Sequence, residues 1–213
     1  MKTRPILFSA PMVRAILDGT KTQTRRVVKL TTERDGCAPG MAKLRNNTAT
    51  PLRDGIGLVW TPYAGAERDQ PMPPETVSEC CPYGQPGDRL WVRETFAPCL
   101  EPENHAYAKA GFTYRADWST EDDCECRDFK WKPSIFCTRA ASRITLEITS
   151  VRVERLNKIS EDDAKAEGCD WQKTPHFANS RLAYRTLWDS INGPCSWDTN
   201  PYVWVIQFRR VQP

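Results

Sequence analysis

A stretch near the N-terminus, "ILDGTKTQTRR" at 16–26, places lysine, threonine and arginine side chains directly behind a glycine. Hydrolysis of an amide needs a nucleophile, a base that activates it and a proton for the leaving amine. Thr24 offers a hydroxyl, and Lys21 is a base when it is neutral. Burial and the positive charges of Arg25 and Arg26 would both lower the pKa of Lys21 and so favour that form. These residue types fit a hydrolytic site, and a solvated lysine beside an ordinary strand threonine fits the same pattern.

The backbone sets a condition on any site that uses both groups. On a regular strand Thr22, Thr24 and Arg26 share one face, whereas Lys21 points to the other. Lys21 and Thr24 can converge only if Lys21 lies in the turn after Gly19. A working site therefore predicts that the strand begins after Lys21.

Other common catalytic patterns are absent from the sequence. It contains no G-x-S-x-G, P-loop, G-x-G-x-x-G or H-E-x-x-H motif, and its two histidines, His105 and His176, lie in irregular stretches. The nine cysteines include close pairs at 80–81 and 124–126 but no C-x-x-C. This spacing favours free cysteines over a structural zinc site. We therefore expect neither a metal nor another cofactor.

Composition and charge indicate a folded protein of one domain. The chain has 213 residues, 39% of them hydrophobic, and a net charge of +3. The small net charge excludes a polybasic nucleic-acid binder, although residues 1–30 are locally basic and could attract phosphates or a nucleoside-like substrate. No apolar run approaches the length of a membrane span, and "MKTRPILFSAPMV" lacks the features of a signal peptide. We expect a cytoplasmic protein with reduced cysteines.

The elements that must position Lys21 and Thr24 are a helix and a strand. Ser9 is a suitable N-cap and Gly19 a suitable stop, so residues 10–18 are predicted to form a short helix. The β-branched residues of 22–28 predict a strand.

Later segments predict further strands and helices. Strands are expected at 86–96, with Leu90 and Val92 on one face, and at 143–156, with a break near Thr149-Ser150. A short helix capped by Ser160, with Asp163 at the capping-box position, should end at Gly168. A longer helix is expected at 179–191, and a closing strand at 202–210. The helix should bury Ala183, Tyr184, Leu187, Trp188 and Ile191, and the core should include Trp188, Trp197 and Trp204.

Two long irregular stretches, 31–85 and 98–135, interrupt this pattern. Eight of the seventeen prolines and seven of the eleven glycines fall between 31 and 90. We interpret both stretches as insertions. The ordered parts then predict an α+β domain, a small barrel-like sheet carrying short helices, that spans residues 1–213.

The ordered segments resemble the ASCH domain family, whose fold is a PUA-like β-barrel. "ILDGTKTQTRR", "PGDRLWVRE", "ITLEITSVRVERL", "EDDAKAEG" and "YVWVIQF" carry the resemblance, which covers about half of the chain. The opening "RPILFSAPMVRAILDGTKTQTRR" resembles longer forms encoded by bacteriophages and prophages. The family is linked to RNA binding or processing, and its G-x-K-T-x-T-x-R core is fairly specific when P-G-D and a strand follow.

Within this superfamily, the chain is similar around Lys21 and Thr24 to bacterial acetylcytidine amidohydrolases. These enzymes remove an acyl group from the exocyclic nitrogen of cytidine. The resemblance implies catalytic roles for Lys21, Thr24 and, by a looser alignment, Glu167. As residue chemistry, Thr24 would be the nucleophile, Lys21 the base, and Glu167 a proton carrier or the group that orients the lysine. The dipole of the preceding helix disfavours a carboxylate at Glu167 and would help it to protonate the leaving nitrogen.

Four further residues are candidates for substrate binding. Arg26 shares a strand face with Thr24 and could hold a carbonyl, phosphate or carboxylate, or pair with an acid. Arg93 and Glu94 follow the P-G-D turn and fit either a pocket or a cross-strand ion pair. Trp91 could stack on a base, but core packing is the commoner role for such a residue.

The sequence leaves three functions open. The first is a metal-independent amidohydrolase acting on a modified cytidine nucleoside. The second is an RNA-binding protein or ribonuclease of the ASCH family, and the third is a non-catalytic phage accessory protein. Modest charge favours a small substrate over long RNA. A cytidine substrate, with RNA as the alternative partner and no membrane, is the resulting expectation.

Overall fold

The fold is known from a computed structural model, which describes residues 1–28, 59–60, 70–71, 81–99, 111–118, 129–169 and 177–211. The strands are β1 (Thr3–Leu7), β2 (Gln23–Val27), β3 (Val59–Trp60), β4 (Gln70–Pro71), β5 (Arg89–Arg93), β6 (Phe96–Pro98), β7 (Phe112–Tyr114), β8 (Thr145–Arg155) and β9 (Tyr202–Val211). The α-helices are α1 (Ala10–Leu17), α2 (Glu161–Ala166) and α3 (Ser180–Asn192). The described part of the chain is therefore of the α+β class, as the sequence predicted.

One five-stranded sheet organises the described residues, in the order β1-β5-β8-β9-β2. β1 pairs with β5 in parallel, and the other neighbours are antiparallel. The sequence predicted a sheet closed into a barrel, whereas the described strands form an open sheet with β1 and β2 at its edges. The strand β1 was missed because only Ile6 of its five residues is buried and Pro5 restricts it to a sheet edge.

The two central strands, β8 and β9, carry the core. Leu146 and Ile148 of β8 are buried, and the register shifts between Ile148 and Ser150, where the sequence predicted a break. β9 is buried on both faces, which explains its nearly continuous apolar sequence. Trp204, Ile206 and Phe208 join a core cluster with α1 residues, and Val203 and Val205 join another beside α2 and α3.

The helices confirm most of the predicted boundaries. α1 ends before Gly19, although the side chain of Ser9 makes no capping hydrogen bond within the described residues. Ser160 does cap α2, by accepting from the backbone N–H of Asp163. In α3 the predicted Ala183, Tyr184 and Trp188 are buried. Leu187 is only partly buried and Ile191 is 54% exposed, because both face a pocket rather than the core.

The predicted insertions are partly ordered. β3 and β4 form a two-stranded pair within 31–85, and most of that stretch lies outside the described residues. The second stretch is less irregular than predicted, since β6 and β7 form a hairpin with its own small core of Phe96, Tyr114, Cys137 and Ala141. No helix in the described ranges is long and apolar enough to cross a membrane.

Candidate active site at the edge of the sheet

Lys21 lies in a bend between α1 and β2. Gly19 ends the helix in the left-handed conformation, with φ of +74°. The N–H groups of Thr20 and Lys21 both donate to the carbonyl of Ala15 at 2.9 Å. Lys21 then forms an isolated bridge with Glu167, and regular pairing of β2 starts at Gln23. The predicted start of the strand after Lys21 is confirmed.

Gly168 allows the end of α2 to lie against α1. It has φ of +88°, and a Cβ placed there would come within 3.0 Å of the Ala15 Cβ and 3.4 Å of the Lys21 Cβ. A side chain would therefore meet both a strained backbone and a crowded neighbour. This close approach positions Glu167, the C-cap of α2, beside Lys21.

Glu167 and Lys21 form a buried ion pair. The Lys21 Nζ donates to Glu167 Oε2 and to the Glu167 carbonyl oxygen, each at 2.8 Å. The two side chains are 0% and 3% exposed. The other carboxylate oxygen, Oε1, accepts from Arg25 Nη1 at 3.2 Å. Glu167 therefore pairs with two cations. Its carboxylate bridges Lys21 and Arg25, the arginine whose positive charge the sequence analysis placed close to Lys21.

Arg25 extends the pair into a network. Its Nη2 lies 2.6 Å from Glu154 Oε1 and 3.0 Å from Asp163 Oδ2. Arg152 binds the same two carboxylates, at 3.2 Å each. The network thus joins three cations to three carboxylates, so its buried charges are compensated.

The network shifts the pKa values of two members. Burial by itself would lower the pKa of Arg25, but Glu167 and Glu154 outweigh it and raise that pKa. Partial burial acts to raise the pKa of Asp163. The hydrogen bond from Gln23 and the charges of Arg25 and Arg152 dominate and lower it. The Asp163 side chain therefore pairs with Arg25 and Arg152 instead of completing the capping box that the sequence predicted.

A small pocket opens along the outer side of β2. It has a volume of about 60 Å³ and is lined by Met12, Thr24, Arg25, Arg26, Val27, Glu167, Tyr184, Leu187, Trp188, Ile191 and Asn192. Because β2 is an edge strand of the described sheet, the pocket draws residues from α1 on one side and α3 on the other. Three of the predicted site residues, Thr24, Arg26 and Glu167, therefore meet in one pocket. Lys21 does not line the pocket, but it contacts Glu167, which does.

The remaining three predicted residues lie elsewhere. Trp91 and Arg93 belong to β5, which β8 and β9 separate from β2, and the Arg93 guanidinium lies 5.6 Å from the Trp91 ring centroid. Glu94 is fully buried and accepts two hydrogen bonds of 3.0 Å from Arg143. Burial raises the pKa of Glu94, against the opposing effect of Arg143. None of the three lines the pocket, and the partner of Glu94 is Arg143 rather than Arg93.

Sequence reasoning missed three groups near Glu167. Arg25 follows Thr24 in β2, so the two side chains point to opposite faces of the strand, and the strand periodicity could have indicated this. Trp188 is buried, as predicted, but it also lines the pocket. Cys169 follows Gly168, and burial raises the pKa of its thiol to about 11, so the thiol stays protonated and weakly nucleophilic at neutral pH. Burial also holds the pKa of Tyr184 well above its ordinary value.

Among the described residues no three histidine, cysteine, aspartate or glutamate side chains are placed to share a metal ion. His105, His176 and the close cysteine pair at 124–126 lie outside these residues. Comparisons with protein-family models, curated proteins and solved structures find no match for this chain.

Proposed function

We propose that the protein is a metal-independent amidohydrolase that removes an acyl group from the exocyclic amine of a modified cytidine. The observation that carries the proposal is that Thr24 and Glu167 line one pocket while Lys21 lies 2.8 Å from the Glu167 carboxylate. A hydroxyl, a basic amine and a carboxylate are the groups that amide hydrolysis requires. The resemblance of G-x-K-T-x-T-x-R to the ASCH family motif is consistent with this assignment, and a PUA-like fold is part of the proposal.

The mechanism begins with attack of the Thr24 hydroxyl oxygen on the acyl carbon. Lys21, which is paired with Glu167 as a cation in the free protein, first releases one proton to solvent. The neutral amine then accepts the hydroxyl proton, and the ammonium that forms is again stabilised by the Glu167 carboxylate and carbonyl, both 2.8 Å from Nζ. The carbonyl electron pair moves to oxygen, which gives a tetrahedral intermediate. When this collapses, the C–N bond breaks and the cytidine amine leaves with a proton supplied by the Lys21–Glu167 pair.

Water completes the cycle. It attacks the acyl-threonine ester, and Lys21 accepts its proton as it did in the first step. The ester bond breaks, Thr24 recovers its hydroxyl proton and the acyl group leaves as a carboxylic acid. Glu167 keeps Lys21 oriented throughout.

Release of cytidine from N4-acetylcytidine, measured chromatographically with a chelator present, tests the proposal. We expect the wild-type protein to be active and Thr24→Val to lose at least about 10²-fold in kcat, because the nucleophile is removed. Thr22→Val is the matched control, since Thr22 is exposed and does not line the pocket. Full activity of Thr24→Val would contradict the assigned nucleophile, and no cytidine release by the wild type would contradict the function.

An RNA-directed function is the second candidate, favoured by a different surface. The half-buried Trp91 has the guanidinium groups of Arg93 and Arg139 at 5.6 and 6.0 Å from its ring centroid. Aromatic and arginine side chains together suit stacking on unpaired bases. Binding of a labelled single-stranded RNA that weakens steeply with salt, and is lost in Trp91→Ala, would favour this candidate.

A further inference from the structure

Arg25 is a buried cation beside the Lys21–Glu167 pair that the proposed mechanism does not use. Its side chain is 0% exposed, and its Nη1 group donates to Glu167 Oε1 at 3.2 Å. Lys21 Nζ donates to the other carboxylate oxygen, Oε2, at 2.8 Å. Each oxygen therefore faces a different cation, and the carboxylate cannot turn without breaking one of the two contacts.

Further contacts fix the Arg25 guanidinium itself. Its Nε and Nη2 groups donate to Glu154 Oε1 at 3.2 and 2.6 Å, and Nη2 also donates to Asp163 Oδ2 at 3.0 Å. A guanidinium presents its donors in a rigid planar fork, so contacts at Nε and Nη2 determine where Nη1 points. The strand β8 and the helix α2 thereby fix the position of the Glu167 carboxylate.

The charge of Arg25 also acts on Lys21, because the two cations share one carboxylate. In the proposed mechanism Lys21 must release a proton before it can accept the one from Thr24. Glu167 alone would hold that proton, whereas a second cation on the same carboxylate weakens the attraction and repels the ammonium. Within the described residues, the other charged or titratable groups around the pair are Arg26 of β2, Arg152 and Glu154 of β8, Asp163 of α2, Tyr184 of α3, and Cys169.

We propose that Arg25 is a positioning residue for the Lys21–Glu167 pair: it fixes the carboxylate so that Oε2 faces Lys21, and its charge limits how strongly Glu167 retains the Lys21 proton. The inference rests on the proposed function and adds a residue that acts through Glu167 rather than on the substrate. A purely structural Arg25 would hold α2 against β2 and would leave the protonation of Lys21 unchanged. The two roles therefore predict different pH profiles.

The pH dependence of kcat/KM with N4-acetylcytidine tests the role of Arg25. Activity should fall at low pH, where Lys21 is protonated, and in Arg25→Gln this acid limb should lie about 1 pH unit higher than in the wild type. The matched control is Arg152→Gln, which removes one cation from the same network but no contact with Glu167. Its acid limb should move much less.

The variants keep the test independent of misfolding. In Arg25→Gln each carboxylate of the network keeps one cation, Arg152 or Lys21. Arg25→Lys is a second variant, which retains the charge but not the planar fork. Its acid limb should stay near the wild-type pH, while kcat should fall about 10-fold because Glu167 Oε1 is no longer fixed. A wild-type kcat in Arg25→Lys would contradict the positioning role.

A direct titration of Lys21 separates this role from the proposed function. In protein labelled with ¹⁵N-lysine, the Nζ signal of Lys21, assigned from Lys21→Met, is followed against pH. Its titration at higher pH in Arg25→Gln than in Arg152→Gln supports the role of Arg25. That difference without hydrolysis of acetylcytidine by the wild type would overturn the proposed function and leave the effect of Arg25 on Lys21. Hydrolysis with the same titration and the same acid limb in both variants would overturn the role of Arg25 alone.

Discussion

Replacing Glu167 with glutamine should strongly destabilise the fold, because it removes the carboxylate that two buried cations share. Lys21 would keep only the Glu167 carbonyl and the new amide oxygen as acceptors, although its side chain is 0% exposed. Arg25 would still bind Glu154 and Asp163. One buried cation is left uncompensated, so we expect a loss of about 3–5 kcal/mol. For a chain of this size, that corresponds to a fall in Tm of roughly 6–20 °C.

A double-mutant cycle distinguishes this charge effect from ordinary packing. Lys21→Met should cost less than Glu167→Gln, because Glu167 keeps its 3.2 Å contact with Arg25. The double variant should be less destabilised than the sum of the single variants, with a coupling of about 1–3 kcal/mol. Urea unfolding curves provide the free energies. Glu147→Gln is the control, since Glu147 forms a 2.8 Å pair with the largely exposed Arg209 and should contribute about 1 kcal/mol or less.

Two results would refute this reasoning. One is a Glu167→Gln protein as stable as the Glu147→Gln control. The other is additivity between Lys21→Met and Glu167→Gln, which would mean that the two groups do not share an energetically significant interaction.

Two further predictions concern the backbone and the acid stability of the same region. Gly168→Ala should destabilise the fold by more than Gly19→Ala, because both have positive φ but only a Cβ at Gly168 meets a neighbour, Ala15, at 3.0 Å; equal Tm values would contradict the crowding argument. The lowered pKa of Asp163 stabilises the fold above its ordinary pKa of 3.8, and this contribution disappears as pH falls through the lower folded value. The stability difference between wild type and Asp163→Asn, measured by urea unfolding, should therefore decrease steadily as the pH is lowered from about 7 to below 3.8, and a constant difference would be inconsistent with it.

The amino-acid sequence by itself determined the local elements. Alternating apolar residues predicted β8 and the burial of Leu90 and Val92, and the Gly19 and Gly168 stops predicted where two helices end. These features depend on neighbours in sequence and on the conformational freedom of glycine. Even the bend at Lys21 could be stated in advance, because strand geometry allows no other way to bring Lys21 towards Thr24.

Only the tertiary structure decided which distant groups share a site. The Lys21–Glu167 contact joins residues 146 positions apart in sequence. The family resemblance grouped the two residues, but neither local pattern specifies their contact. For the same reason Trp91, Arg93 and Glu94 looked equivalent to Arg26 as site candidates until the strand order placed β8 and β9 between β5 and β2. The role of Trp188 also depends on tertiary structure. Hydrophobic periodicity predicted its burial correctly, but its place in the lining of the pocket follows from how α3 packs along an edge strand.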